Sequence, residues 1–423
     1  MLNYKIKNFS LIHFDNLYLF FLVLCVGRGN KIVNALMFPT SPFTTIIFFL
    51  LTCILIRRHS LHFGARFWRI IFFTTIWVLF QYVKNSTFDP MSLFLYFDIY
   101  IAYIVVNIFG EKVLLYFEKY VTWLAVVNLI VWVGHHIIPQ TIESLFEPIN
   151  MIHGNLVTKS SIIVASISST SSFLGMRNAG FCSEPGHYAS ILSLAIAINL
   201  FLNKFDVSFK NKSLYVLIVS LITTQSTTGY VSFLFLIIFY VYNTKSISKY
   251  IVIVLTIILF PTVWALPFMT EKIEKVWYED GNEYYIAEKG EEAGDVGTVY
   301  VPQRIDGIVL ELENVRHDPI IGYGLKRKYS YVGKTFSEYI VLSNGIIQVF
   351  ASFGLLIGIL FYWGLVKSFQ MLGNLYHFSG WFILFFLYLS ISVSYSFIIV
   401  PLLLSIWQMV MLQERNRTCL SKQ

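Results

Sequence analysis

The residue types best suited to chemistry fall in three short stretches. In RNAGFCSEPGH, Arg177, Glu184 and His187 stand within eleven positions of one another. An arginine offers a planar fork that grips phosphate oxygens two at a time, and a helix N-terminus attracts the same anions. Pro185 suits the first turn of a helix, which makes Glu184 its N-cap. Capping is the plain role for Glu184; orienting Arg177 or acting as a base are the chemical ones. Arg177 has a plain reading too, an interfacial arginine snorkelling to headgroups. His187 reads as a polar helix-end residue or as a substrate ligand.

The second stretch is VPQRIDGIVLELENVRHDPIIGYGLKRK, Val301 to Lys328. Ile305, Ile308, Val309, Leu312 and Val315 recur at helical spacing. Pro302 fits the helix start, and the turns from Pro319 to Gly324 end it. The pattern predicts a short amphipathic helix, lying on membrane spans or on the membrane interface. Arg304 stands at its start, where free backbone N–H groups reinforce an anion site. Arg316, Lys326 and Arg327, with Lys328, gather toward its other end, as substrate ligands or as contacts to anionic lipid headgroups. The acidic, glycine-punctuated segment before it (EKIEKVWYEDGNEYYIAEKGEEAGDVG) reads as a solvated, partly mobile surface.

The third stretch, LSNGIIQVFASFGLLIGIL, opens with Ser343 and Asn344. These polar residues enter an apolar run in which Gly345, Gly354 and Gly358 permit close helix packing. The polar turn Ser226–Gly229 reads as structural.

The elements that position these residues follow from composition. The 423 residues are 56% hydrophobic and 13% charged, about half the charged fraction of a soluble domain. Long apolar runs recur as far as about Met411, which excludes a single buried core and indicates a polytopic all-α membrane protein. At about 20 apolar residues per crossing, spans fall near 9–27, 35–56, 66–83, 91–109, 119–138, 185–203, 212–224, 229–243, 249–268, 339–365, 379–395 and 396–413. The expectation is therefore about twelve transmembrane helices in a single transmembrane domain, 1–423.

With the N-terminus inside, seventeen lysines and arginines lie in inside segments and five in the shorter outside loops. That bias makes both termini cytoplasmic. It places two segments outside: 139–184, with the Arg/Glu motif, and the large loop 269–338, with the amphipathic helix. All three motif stretches then share one face. The net charge of +7 follows from this topology rather than from one basic patch, which argues against nucleic acid as a partner. Lys5 and Lys7 precede an apolar stretch without a small-residue cleavage site, so the N-terminus reads as an uncleaved first span. Four scattered cysteines form no metal-ligand spacing and no disulfide framework. No metal and no cofactor is expected.

In order and in shared face, RNAGFCSEP at the head of a span, R…P..G.G in a long outside loop and a polar pair opening a glycine-bearing span resemble the bacterial O-antigen polymerases. The related O-antigen ligases share the pattern. The resemblance covers most of the chain in topology, and in motifs 177–186, 304–324 and 343–358. It implies a metal-independent glycosyltransferase that joins oligosaccharide repeat units carried on undecaprenyl diphosphate, at the periplasmic face of the inner membrane. Arg177 and Arg304 match the family's diphosphate-binding arginines, with Glu184 beside them as the third catalytic candidate. His187, Arg316, Lys326, Arg327, Ser343 and Asn344 are expected to contact substrate. Partners implied are the lipid-linked oligosaccharide, membrane lipids and a protein that regulates chain length. One departure concerns the polar pair: ligases carry His-Asn, with the histidine as base, where this chain has Ser343-Asn344. Glu184, His187, Asp306 and Glu338 are the groups left for that role. A ligase acting on lipid A-core, and a lipid-linked oligosaccharide flippase or other transporter, are the alternatives. Transporters favour internal repeats and mid-span charges, and neither stands out here.

Overall fold

The computed structural model describes residues 9–27, 42–61, 63–145, 158–162, 164–172, 175–182, 184–246, 249–250, 252–254, 257, 283–295, 300–302, 304–342, 344–393 and 400–409. The expected spans 249–268 and 396–413, and much of the loop from 269, lie partly outside them. Helices dominate, as the composition requires. The helices are α1 (Phe9–Val26), α2 (Pro42–His59), α3 (Ala65–Asn85), α4 (Met91–Phe109), α5 (Lys112–Ile137), α6 (Pro185–Leu202), α7 (Lys212–Thr223), α8 (Thr227–Asn243), α9 (Glu283–Asp295), α10 (Arg304–His317), α11 (Tyr331–Thr335), α12 (Gly345–Phe353), α13 (Leu355–Tyr376), α14 (Trp381–Ser392) and α15 (Pro401–Gln408). Among the described residues, four helices are long and apolar enough to cross a membrane: α5, α6, α13 and the Ser92–Phe109 part of α4. The chain is a membrane protein.

Among the described residues, the chain departs from all-α in a sheet of order β1-β2-β3, formed by β1 (Thr158–Ile162), β2 (Ala165–Ser172) and β3 (Gly175–Gly180), and in an isolated bridge between Tyr300 and Ile340. β1 runs antiparallel to β2, Ser161 opposite Ser166 and Ile162 opposite Ala165, with an irregularity between Thr158 and Ser160. Serine, threonine and isoleucine crowd this segment without a helical apolar stripe, and β-branched residues favour the pleated surface.

The residues group into two compact units, 1–62 with 104–171 and 176–224, and 63–103 with 172–175 and 225–423. In the first, α6 packs on both α5 and α7, and α1 on α5. α6 is buried nearly all round, which suits a helix apolar on every side. Its one strongly polar interior residue, Asn199, donates to Glu118 Oε1 at 2.7 Å and accepts from Asn211 at 2.8 Å. A buried carboxylate needs such donors.

In the second unit, α13 packs with α12, α14 and α15, and α8 with α14. Between α8 and α12 the chain builds a small separate core of Ile286, Leu310, Val332 and Ile340. Its first member corrects the expectation of a merely solvated acidic segment, because Ile286 of α9 is buried. Hydrophobic contact outweighs the acidic composition there.

The expected tenth span, 339–365, is also corrected. It divides into α12 and α13 at Gly354, whose φ is +85°. A Cβ at Gly354 would stand 2.0 Å from the Ile320 carbonyl oxygen. The Leu355 amide, orphaned by the break, donates to the Pro319 carbonyl at 2.8 Å. The candidate span accordingly runs Leu355–Tyr376.

Candidate functional site

In the first unit, β3 carries Arg177 and Asn178. The strand is tied to α5 by the Trp132 indole N–H, which donates to the Met176 carbonyl at 2.7 Å. On the other side it is tied to the end of α7. Arg177 Nε donates to the Thr224 carbonyl at 3.1 Å, and Asn178 Nδ2 donates to Thr223 Oγ1 at 3.0 Å. The Asn178 carboxamide oxygen accepts from the Gly180 amide at 2.9 Å. Gly180 has φ +61°, and a Cβ there would lie 2.5 Å from the Tyr188 ring. Only glycine lets the chain turn so tightly onto α6. Arg177 is half-buried, with its Nε–H held by a backbone carbonyl.

Glu184 does stand at the N-cap of α6, with Pro185 first in the helix, but its side chain makes no capping hydrogen bond. It is more than half exposed and pairs with His187 Nε2 at 3.8 Å. The expected orientation of Arg177 by Glu184 is therefore corrected: the Thr224 carbonyl does that work, and Glu184 faces His187. Cys182, three residues before the helix, is fully buried. Burial, with the charge of Glu184, holds its thiol well above the usual range, so it is not a reactive thiolate.

In the second unit, Arg304 opens α10 as expected. Ser343 lies outside the described residues. Asn344 is a helix cap: its carboxamide oxygen accepts from the Ile346 and Ile347 amides at 3.1 and 3.2 Å, and the residue is 4% exposed. That use caps the helix. The basic residues each have their own partner. Arg316 lies 3.6 Å from Glu313 with its side chain 79% exposed, and Lys326 lies 3.7 Å from Asp89. Lys328 stands 5.0 Å over the Tyr329 ring, while the charge of Arg327 acts on Glu311.

The Pro319–Gly324 turn docks directly on the third stretch. Tyr323 N donates to Ala351 O at 2.8 Å and Gly324 N to Ser352 O at 3.0 Å. Gly322, φ +74°, sits so close that a Cβ would be 2.4 Å from the Ser352 carbonyl group. From α3, three side chains hold the same turn. Trp77 Nε1 and Gln81 Nε2 donate to the Ile321 carbonyl at 3.0 and 2.9 Å, and Lys84 Nζ donates to the Gly322 carbonyl at 2.8 Å while pairing with Asp318 at 2.5 Å. Two of the three motif stretches thus form one packed structure. Trp77, Gln81 and Lys84 were not singled out by sequence. The signal was there, a glutamine and a lysine at spacing three on one face of the C-terminal half of α3.

Beneath the turn lies Glu311, also not singled out. It is 1% exposed and accepts from Asn314 Nδ2 at 3.1 Å, and Asn314 in turn accepts from the Val332 amide at 3.0 Å. Burial pushes the Glu311 carboxyl up to about 7, against the lowering effects of Asn314 and of the Arg327 charge. Burial and the Glu311 charge likewise push the neighbouring Tyr323 phenol up, despite hydrogen bonding with Ser352 and Gln348.

No family model matches the chain, and no curated protein matches it.

Proposed function

We propose that the chain polymerises oligosaccharide repeat units carried on undecaprenyl diphosphate, at the periplasmic face of the bacterial inner membrane. In this reading it has about twelve spans with both termini cytoplasmic. The growing glycan is the donor: its bond to the lipid diphosphate breaks as a hydroxyl of the incoming unit attacks, and the lipid diphosphate leaves. Negative charge builds on that diphosphate, and fixed arginines stabilise it without a metal because their fork suits phosphate oxygens. The observation that carries the proposal is the setting of Arg177, whose Nε is fixed by the Thr224 carbonyl on a strand tied to two helices. Such preorganisation is what charge stabilisation in a transition state needs. Arg304 is assigned the same role from the resemblance in sequence. Serine in place of the ligase histidine at 343 favours polymerase over ligase, since a serine hydroxyl is no base at neutral pH.

The test is a lipopolysaccharide gel from a deletion strain complemented with Arg177→Ala or Arg177→Lys. Both variants are expected to leave core carrying one repeat unit, with no ladder above it and with normal protein level. The alanine change should lower the rate roughly 10²–10³-fold, as for lost oxyanion donors. The lysine change should rescue poorly, since an ammonium lacks the bidentate fork. Bare core with lipid-linked polymer accumulating in the deletion strain would indicate a ligase. Bare core with single lipid-linked units retained inside would indicate a transporter. Normal chain lengths in an Arg304→Ala strain would remove Arg304 from the reaction.

A further inference from the structure

α10 presents its faces the wrong way round for a helix on a watery surface. The side it packs into the protein includes Glu311 and Asn314, each 1% exposed. The opposite side presents Ile305, Val309 and Leu312, which are 49, 53 and 51% exposed. Their spacing of four and three places them in one stripe. The apolar face predicted from sequence thus exists, but it is not the face by which α10 docks on α12 and the small core. A contiguous apolar stripe of this kind marks an interaction surface.

Two observations identify what covers it. The first is continuity along the chain with the exposed apolar side of a candidate span. Three residues beyond α10 the chain reaches Ile320, 78% exposed, and the preceding carbonyl, that of Pro319, holds the first amide of α13. From that point α13, a candidate membrane span, exposes Leu356, Ile359 and Trp363 along one side at 66, 59 and 60%. The second is charge. Arg316 continues the stripe by one more turn, with its side chain 79% exposed. An aliphatic stripe ending in an arginine is the pattern of a helix lying in a membrane interface, where the stem is buried and the guanidinium meets lipid phosphates.

We infer that α10 lies in the interface of the bilayer, with Ile305, Val309 and Leu312 sunk to the boundary between headgroups and acyl chains and Arg316 among the phosphates. The inference is independent of the polymerase proposal, because it concerns only how this helix meets lipid.

The test uses the full chain in nanodiscs of phosphatidylethanolamine and phosphatidylglycerol. Cys53 and Cys419 are replaced by serine, while Cys25 and Cys182 are buried and stay. Single cysteines at Val309, Leu312 and Arg316 are spin-labelled, all at exposed positions so that packing on α12 is kept. Collision with oxygen, which partitions into lipid, is compared with collision with a water-soluble nickel chelate. The expected result is several-fold greater relaxation by oxygen than by chelate at 309 and 312, with the reverse at 316. Chelate access at 309 and 312 equal to that at 316 would place the helix in water and overturn the inference. Protection of 309 and 312 from both reagents would mean that protein covers the stripe, and would overturn it as well.

Discussion

The two polar sites are built on opposite plans. Around Arg177, one strand does most of the work: Arg177 and Asn178 donate to Thr224 and Thr223 at the end of a single helix, and Gly180 donates to Asn178 within the strand itself. The partners of Arg177 Nε, Asn178 and Gly180 there are neutral donors and acceptors. Around Glu311, the partners come from distant parts of the chain. Residues 77, 81 and 84 hold the turn above it, and residues 314 and 332 complete the chain of hydrogen bonds below. This site buries an acid whose one hydrogen bond, among the described residues, comes from a neutral amide. A local site can hold a fixed cation at little cost, whereas a long-range site that buries a carboxylate makes its stability depend on pH.

The largest effect expected from this contrast is at Glu311. Burial raises its carboxyl from an ordinary 4.5 to about 7 in the folded chain. Between those values the folded state binds more protons than the unfolded state, so stability falls as pH rises through the window and levels off above it. The full difference is on the order of 3 kcal/mol. Glu311→Gln keeps the acceptor for Asn314 and removes the charge. Thermal unfolding at pH 5 and pH 8 should therefore show a smaller loss of stability in the variant than in the parent. An equal loss in both would mean that Glu311 is not a buried acid.

A middle effect is expected at Asn178, the hinge of the local site. Asn178→Ala strands the buried Gly180 amide and takes one of two hydrogen bonds from the Thr223 hydroxyl, which keeps its bond to the Ser220 carbonyl; it should lower stability by about 1–2 kcal/mol, with no dependence on pH between 5 and 8. A pH-dependent loss would erase the contrast between the two sites. The smallest effect is expected at Glu184→Gln. Its pairing with His187 is long and more than half exposed, so the change should alter stability by less than about 0.5 kcal/mol. A large loss in unfolding temperature would show that Glu184 supports the start of α6 after all.

What sequence reveals tracks the same division. The membrane character was legible, because burial in lipid demands apolar helices and composition reports them directly. The Arg177 stretch was legible as a unit for the reason that it is local. Its partners Thr223 and Thr224 were not singled out, since nothing in the residue types links them to position 177; only the neighbouring turn Ser226–Gly229 was noted, as structural. The sheet was missed because its serines and threonines resemble a polar loop. Glu311 was missed because helical periodicity drew attention to the stripe of Ile305, Val309 and Leu312, expected to lie on spans or on the membrane interface, whereas α10 packs into the protein by the opposite side, with Leu310, Glu311 and Asn314. The break at Gly354 was invisible for a similar reason. Its left-handed backbone is required by the approach of Ile320, thirty-four positions earlier.

That break also fixes a vertical coordinate. The apolar stretch from Gly345 to Tyr376 is longer than the roughly 20 residues that the hydrocarbon layer accepts, so hydropathy alone allows it to slide by more than two helical turns. The clamp of Pro319 on Leu355 removes that freedom. It ties the Pro319–Gly324 turn to the first residue of a candidate span, so that in a bilayer the depth of α13 would set the height of the turn.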